Sequence, residues 1–258
     1  VAITYQDTSV TGTGSEPPRY YRTITFADAA AGDLLVAGGV SMDLVSAIEN
    51  TPAVATTSGS TSSWTSSYSA SSGSDCDWVM GWAEVSSTGS VTVRVNVRSS
   101  TDGAGHMYVA GWLIPDGEWS GTPALTAMAG GDADGRVTVS VGSSGSNVFY
   151  LAGDWDAGTV SGSEPSTNAT DHESTQDSGY YTVAARSWSS QDSGSRSYGV
   201  GTESGGDWTG AVMVVAGASG TGATVPATAV AGTSTVQTYS TRGAEIVMGG
   251  ASKQGIWT

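Results

Sequence analysis

Arg136-Val137-Thr138-Val139-Ser140-Val141, a Gly-Ser turn, and then Asn147-Val148-Phe149-Tyr150-Leu151-Ala152-Gly153 decide the reading of this chain. The first block alternates apolar and polar residues, the pattern of a half-buried strand. The second is apolar almost throughout. The same pair occurs earlier, where Tyr21-Arg22-Thr23-Ile24-Thr25-Phe26 is followed by Gly32-Asp33-Leu34-Leu35-Val36-Ala37-Gly38. Two further blocks recur in the same order. Cys76-Asp77-Trp78-Val79-Met80-Gly81-Trp82 is echoed by Tyr180-Tyr181-Thr182-Val183-Ala184-Ala185-Arg186, and Gly105-His106-Met107-Tyr108-Val109-Ala110-Gly111 by Gly210 to Gly217. A repeated order of strands with loops of unequal length indicates two tandem β-domains.

The expected fold is all-β: two antiparallel β-sandwiches of jelly-roll or Greek-key type, residues 1–118 and 119–220, followed by a C-terminal strand segment, 221–258. The spacing leaves the choice between those two topologies open. Inward-facing positions are expected at Ile24, Phe26, Leu35, Val93, Val95, Tyr108, Val139, Val141, Phe149, Val183, Val212 and Val214. In the C-terminal segment, Ser234 to Tyr239 and Arg242 to Gly250 resemble the opening strand pair of each repeat. Two strands alone are marginal in water. Val236 to Gly250 is therefore expected to add to a sheet of a neighbouring subunit or to begin a third domain, with Ile246 and Met248 buried on one face of the contact. Val236, Ile246 and Met248 are the candidate assembly residues, and a homo-oligomer is expected.

Composition agrees with a strand-rich globular chain. Among 258 residues there are 37 Gly, 21 aromatics and 38% apolar residues, and only 13% are charged. This excludes a coiled coil and a disordered tail. The formal net charge of −15 argues against nucleic acid and anionic membranes as partners. No apolar run approaches the roughly 20 residues of a membrane span, and VAITYQDTSV has no signal-peptide pattern. Eight Arg against one Lys, with few Asn, Ile and Phe, suggests a GC-rich coding genome. The single Cys76, flanked by Asp75 and Asp77, reads as an inert thiol.

No constellation of residues singles out catalysis. A serine hydrolase needs an oriented histidine, but only His106 and His172 exist and no Gly-x-Ser-x-Gly motif accompanies them. His106 opens an apolar strand and is read as structural. Asp171-His172-Glu173 puts three metal-ligand types side by side, yet neighbours on an extended chain point to opposite faces, so a solvated loop is expected. Asp154, Asp156, Asp192, Glu203 and Asp207 could in principle supply a glycosidase pair, but sequence sets no separation. Gly130 to Gly135 reads as an Asp-Gly turn without calcium, and Asn168-Ala169-Thr170 as a chance glycosylation match. The chain is thus expected to be non-enzymatic, with no cofactor and no metal. Tyr20, Tyr21, Trp119 and Trp188 are candidates for stacking on sugar rings; Trp208, at the entry to a strand, is read as structural.

The same strand blocks carry a resemblance: the alternating strand, Gly32 to Val36, Trp64-Thr65, and the closing Trp208-Thr209-Gly210-Ala211-Val212-Met213-Val214. Together they resemble tandem β-sandwich proteins that are virion components of tailed bacteriophages infecting actinobacteria. The likeness covers most of residues 20–217 and supplies no functional residue. It implies a tail, fibre or capsid-surface protein in the virion, partnered by other virion proteins and by a host-surface glycan. The alternative is a secreted or cell-surface carbohydrate-binding module or adhesin domain of an actinobacterium.

Overall fold

Two kinds of strand build the molecule. The structure, a computed structural model, describes residues 3–10, 21–42, 52–69, 76–97, 106–128, 135–154, 160–177, 181–202, 207–218, 238–242 and 245–249. Val1–Ala218 form one unit and Ser219–Thr258 a second. The first unit holds β1 (Thr4–Val10), β2 (Tyr21–Ala29), β3 (Leu34–Met42), β4 (Ala53–Ser58), β5 (Thr65–Ser69), β6 (Cys76–Glu84), β7 (Gly89–Asn96) and β8 (His106–Ile114). These are followed by β9 (Trp119–Ala127), β10 (Arg136–Val141), β11 (Ser146–Asp154), β12 (Ser161–Glu164), β13 (Ala169–Asp177), β14 (Tyr181–Gln191), β15 (Gly194–Thr202) and β16 (Thr209–Gly217).

Alternating sequences bury one face. β10 buries Val137, Val139 and Val141 and turns Thr138 and Ser140 outward, and β7 buries Val91, Val93 and Val95. Both lie in three-stranded sheets, ordered β2-β7-β4 and β10-β15-β12. Continuously apolar sequences form the middle of two five-stranded sheets, β1-β8-β3-β6-β5 and β13-β14-β11-β16-β9. Every residue of β11 is buried.

Pairing follows one rule in both halves: β1 with β8, β2 with β7 and β3 with β6, then β9 with β16, β10 with β15 and β11 with β14, all antiparallel. That nested order is a jelly roll. One strand departs from its usual place: β5 pairs with β6 at the edge of the five-stranded sheet instead of extending the small one, and β13 does the same beside β14. The two halves therefore match strand for strand in topology.

Three apolar layers result. One fills the first sandwich between its two sheets, with Ile24, Phe26, Leu35, Val93 and Val95. Another fills the second, with Val139, Val141, Tyr150, Trp188, Val212 and Val214. The third joins the outer faces of the two five-stranded sheets: Leu34, Val36, Trp78, Tyr108 and Trp112 from one side meet Phe149, Leu151, Val183 and Met213 from the other. All twelve residues expected to face inward are buried. Tyr108, Phe149 and Val183, however, point into the layer shared by the two sandwiches rather than into their own interiors.

Glycine sets the closeness of these layers at two points. A Cβ on Gly111 would collide with Ile24 Cδ1 and lie 3.0 Å from Phe26 Cζ, so this glycine lets the small sheet approach. A Cβ on Gly38 would meet Val79 O at 2.7 Å and Leu151 Cδ2 of the opposite sandwich at 3.1 Å. The short segment between β8 and β9 is pinned as well. Asp33, 6% exposed, accepts hydrogen bonds from the backbone N–H of Ala30 at 2.8 Å and of Asp116 at 2.9 Å. Trp119 Nε1 donates to Gly32 O at 3.0 Å.

The second unit contains β17 (Thr238–Arg242) paired antiparallel with β18 (Glu245–Gly249). This differs from the opening of each jelly roll, where β2 and β3 lie in different sheets and do not pair with one another. The short Arg242–Glu245 connection lets the two strands close directly as a hairpin.

If the shared layer holds the two sandwiches together, Trp112→Ala should lower stability by about 3–5 kcal/mol through loss of a fully buried indole. Urea unfolding followed by circular dichroism measures it, with a single transition expected for both halves.

Candidate functional site

Polar side chains gather at one end of the shared layer, where β1 and β8 of the first sandwich face β13 and β14 of the second. In β1, Tyr5 and Asp7 sit opposite Trp112 and Ala110, so both belong to the face turned toward the second sandwich. On the other side the β13–β14 ladder slips: Asp171 pairs with Arg186 and Glu173 with Ala185. His172 is the extra residue of this bulge, and bulges re-aim side chains. Its ring stacks on Tyr5 with centroids 4.0 Å apart and planes 15° from parallel. Trp112 meets it edge-on at 6.1 Å.

Hydrogen bonds hold each side of this stack separately. Tyr108 donates to Asp7 Oδ2 at 2.9 Å, and the hydroxyls of Tyr5 and Tyr108 contact each other. His172 Nε2 and Ser187 Oγ are 2.8 Å apart. Burial raises the Tyr108 hydroxyl far above the ordinary phenol value, with Tyr5 and Asp7 adding to the effect, so it stays a proton donor. Burial also lowers the His172 pKa, against the opposing pull of Asp171 and Asp7. Next to this cluster but facing the interior of the second sandwich, Arg186 is fully buried, with Nη2 3.4 Å from Asp171 Oδ2.

The Ser187–His172 contact has the length of a nucleophile–base pair. Ser187 is 7% exposed in the middle of β14, opposite Phe149 on one side and Thr170 on the other. Its strand is laddered on both sides, which leaves no pair of backbone N–H groups aimed at a reacting oxygen. Among the described residues no carboxylate is hydrogen-bonded to His172 to orient its second ring nitrogen. What the geometry does provide is a clasp of stacked rings across two packed sheets, each side held by hydrogen bonds within its own sheet.

The residues singled out from sequence scatter over the molecule. Trp188 is completely buried, donates to Pro165 O at 2.6 Å, and has Tyr150 and Tyr198 edge-on to its ring, so it presents no face to a sugar. Trp119 is half-buried against the shared layer and Tyr21 lies 5.3 Å beneath the guanidinium of Arg94. Tyr20 lies outside the described residues. Trp208 is buried in the second sandwich. His172 stands on a strand and not in a solvated loop, because the bulge inserts it between laddered neighbours. Asp154 is buried, Asp207 is exposed, and Asp192 sits 3.5 Å from Arg196. Asp156, Glu203 and the acidic pair Asp132 and Asp134 lie outside the described residues, as does Val236. In β18, Ile246 and Met248 pair with Thr241 and Tyr239 and share one face, as their spacing requires. Of Cys76 and His106 the structure gives the backbone, opposite Met42 on its two sides.

Sequence reasoning missed Tyr5, Asp7, Ser187 and Arg186. A lone Arg in the otherwise apolar run Val183-Ala184-Ala185-Arg186 was the available signal for the last.

Burial that favours neutral His172 makes folding sensitive to acid. The unfolded chain takes up a proton near pH 6.5 and the folded chain only at lower pH, so this contribution is complete above about pH 6.5 and is lost as pH falls below it. His172→Gln should flatten the dependence of urea midpoint on pH between about 6.5 and 5. An unchanged slope would show that other groups carry it. Comparison with known proteins adds no assignment to this geometry: no family model, no curated protein and no solved structure matches the chain.

Proposed function

We propose that this chain is a non-enzymatic structural component of a bacteriophage particle, in the tail, a fibre or the capsid surface, serving assembly and host-surface attachment. The observation that supports this most is the joining of two jelly rolls through a buried layer. Both faces of the central strands of each five-stranded sheet are given over to packing, which makes a stiff block suited to spacing and bearing load. The resemblance of the strand blocks to virion proteins points the same way.

Charge adds a second support. The first unit carries seven Arg against 23 Asp and Glu, whereas residues 219–258 carry Arg242, Lys253 and only Glu245. A weakly basic segment and a strongly acidic body attract one another across neighbouring copies, and many weak contacts gain strength through repetition. A secreted glycan-binding module is the competing reading. It loses ground where Trp188 is enclosed and Trp119 and Tyr21 are already engaged by neighbours.

Immunogold labelling of phage particles with antibody to this chain should mark repeated positions on them. Recovery of the chain only as free secreted protein would reject the proposal. Removing residues 219–258 should reduce oligomer size by light scattering and impair incorporation into particles; no change in either would remove the assembly role of the segment.

A further inference from the structure

Among its described residues the first unit has four sheets and hence eight edge strands, each a potential template for another chain. Seven carry a device that discourages pairing. The ladders of β2, β4, β9 and β13 slip in register. β9 also contains Pro123, and β13 carries Asp171, Glu173 and Asp177. β12 has four residues, ends in Glu164 and runs into Pro165. β1 contains Asp7 and β10 begins with Arg136.

β5 has none of these. Thr65-Ser66-Ser67-Tyr68-Ser69 pairs with Trp82 to Trp78 in an unbroken register and contains no charge and no proline. Beyond that ladder, its backbone makes no hydrogen bond among the described residues. Tyr68, 47% exposed, is the one large hydrophobic side chain left open among them. The comparison with β13 is telling because the two strands hold the same place in their jelly rolls. One has been bulged and made acidic; the other is bare.

We propose that β5 pairs antiparallel with β5 of a second copy about a two-fold axis at Ser67, joining two five-stranded sheets into one of ten strands. The strand is complementary to itself in this arrangement. Ser67 faces Ser67, Ser66 faces Tyr68 and Thr65 faces Ser69, so no like charges oppose and hydroxyl-bearing side chains form the cross-strand pairs. Hydrogen bonds between the two edges supply the attraction, as in strand addition generally. Five residues per copy make a small interface and the two bodies repel, so the contact is weak in dilute solution and strengthens with salt and with local crowding of copies. It does not depend on the basic C-terminal segment, nor on whether the chain belongs to a virus particle.

Cysteine trapping tests the contact and its register together. Opposed residues of an antiparallel pair have Cα atoms about 4.5–5.5 Å apart, within reach of a disulfide. In a full-length Cys76→Ser background, Ser67→Cys should give disulfide-linked dimer on mild oxidation, while Ser140→Cys, exposed on β10, should give only background. Sedimentation velocity of the unmodified chain should show concentration-dependent association that Ser67→Lys abolishes. Equal cross-linking at positions 67 and 140, or association unaffected by Ser67→Lys, overturns the proposal. Persistence of the Ser67→Cys cross-link after removal of residues 219–258 separates this contact from assembly through that segment.

Discussion

The central strands of each five-stranded sheet are apolar on both faces, and that single constraint organises the molecule. A sheet of this kind cannot end at solvent on either side without exposing a large hydrophobic surface. The small sheet of its own jelly roll covers one face. Only another apolar sheet can cover the other, and the second repeat supplies one of the same construction. The two halves are thus mutually dependent: Trp112 and Phe149, with ring centroids 5.2 Å apart, come from different sandwiches but share one layer.

That layer also buries polar groups at a cost. The indole nitrogens of Trp78 and Trp112 and the amide of Asn147 are buried without a hydrogen-bond partner among the described residues. Each such group costs roughly 1–3 kcal/mol. The rings of Trp78 and Trp112 offset this through their apolar area, and directional contacts between the sandwiches include the Tyr5–His172 stack and the Trp119 Nε1 bond to Gly32 O. The stack of the His172 ring on Tyr5 crosses between the sheets, while hydrogen bonds within each sandwich, Tyr108 to Asp7 on one side and His172 with Ser187 on the other, hold its two partners. Apolar packing supplies the attraction between the sandwiches, and the stacked rings restrain their alignment at one edge.

Much of this was legible in the sequence, because period and strand class are linked. Arg136 to Val141 alternates and lies in an outer sheet with one face in water, while Asn147 to Gly153 is continuously apolar and lies in a sheet covered on both sides. The repeated order of such blocks correctly implied two sandwiches of like topology. The joining of the sandwiches did not emerge, since a continuous apolar run is equally consistent with burial against any partner. The clasp was less visible still. Tyr5 and His172 are 167 positions apart, and a one-residue bulge that local sequence does not announce re-aims the imidazole. Trp188 shows the converse failure: a tryptophan among serines resembles an exposed binding residue until Tyr150 and Tyr198 are seen against it.

The two halves share some features and differ in others, and the difference bears on where recognition can occur. Strand order is kept, as is a buried polar group at the entry to the central strand. Asp33 closes the turn before β3, and Ser146 Oγ donates to Ser143 O at 2.6 Å at the start of β11. These positions serve folding in both copies. The central faces of the large sheets are equally fixed, because each must fit the other. The outward faces of the small sheets are mainly hydroxyl-bearing, with Thr25 against Thr92 and Thr138 against Ser197. Edges and loops are then the parts of the fold free to diverge without disturbing a packed layer. The contrast between neutral β5 and acidic, bulged β13 lies on such an edge, at one topological position in two copies of the same fold. Divergence there changes what the surface can bind while the three apolar layers stay intact.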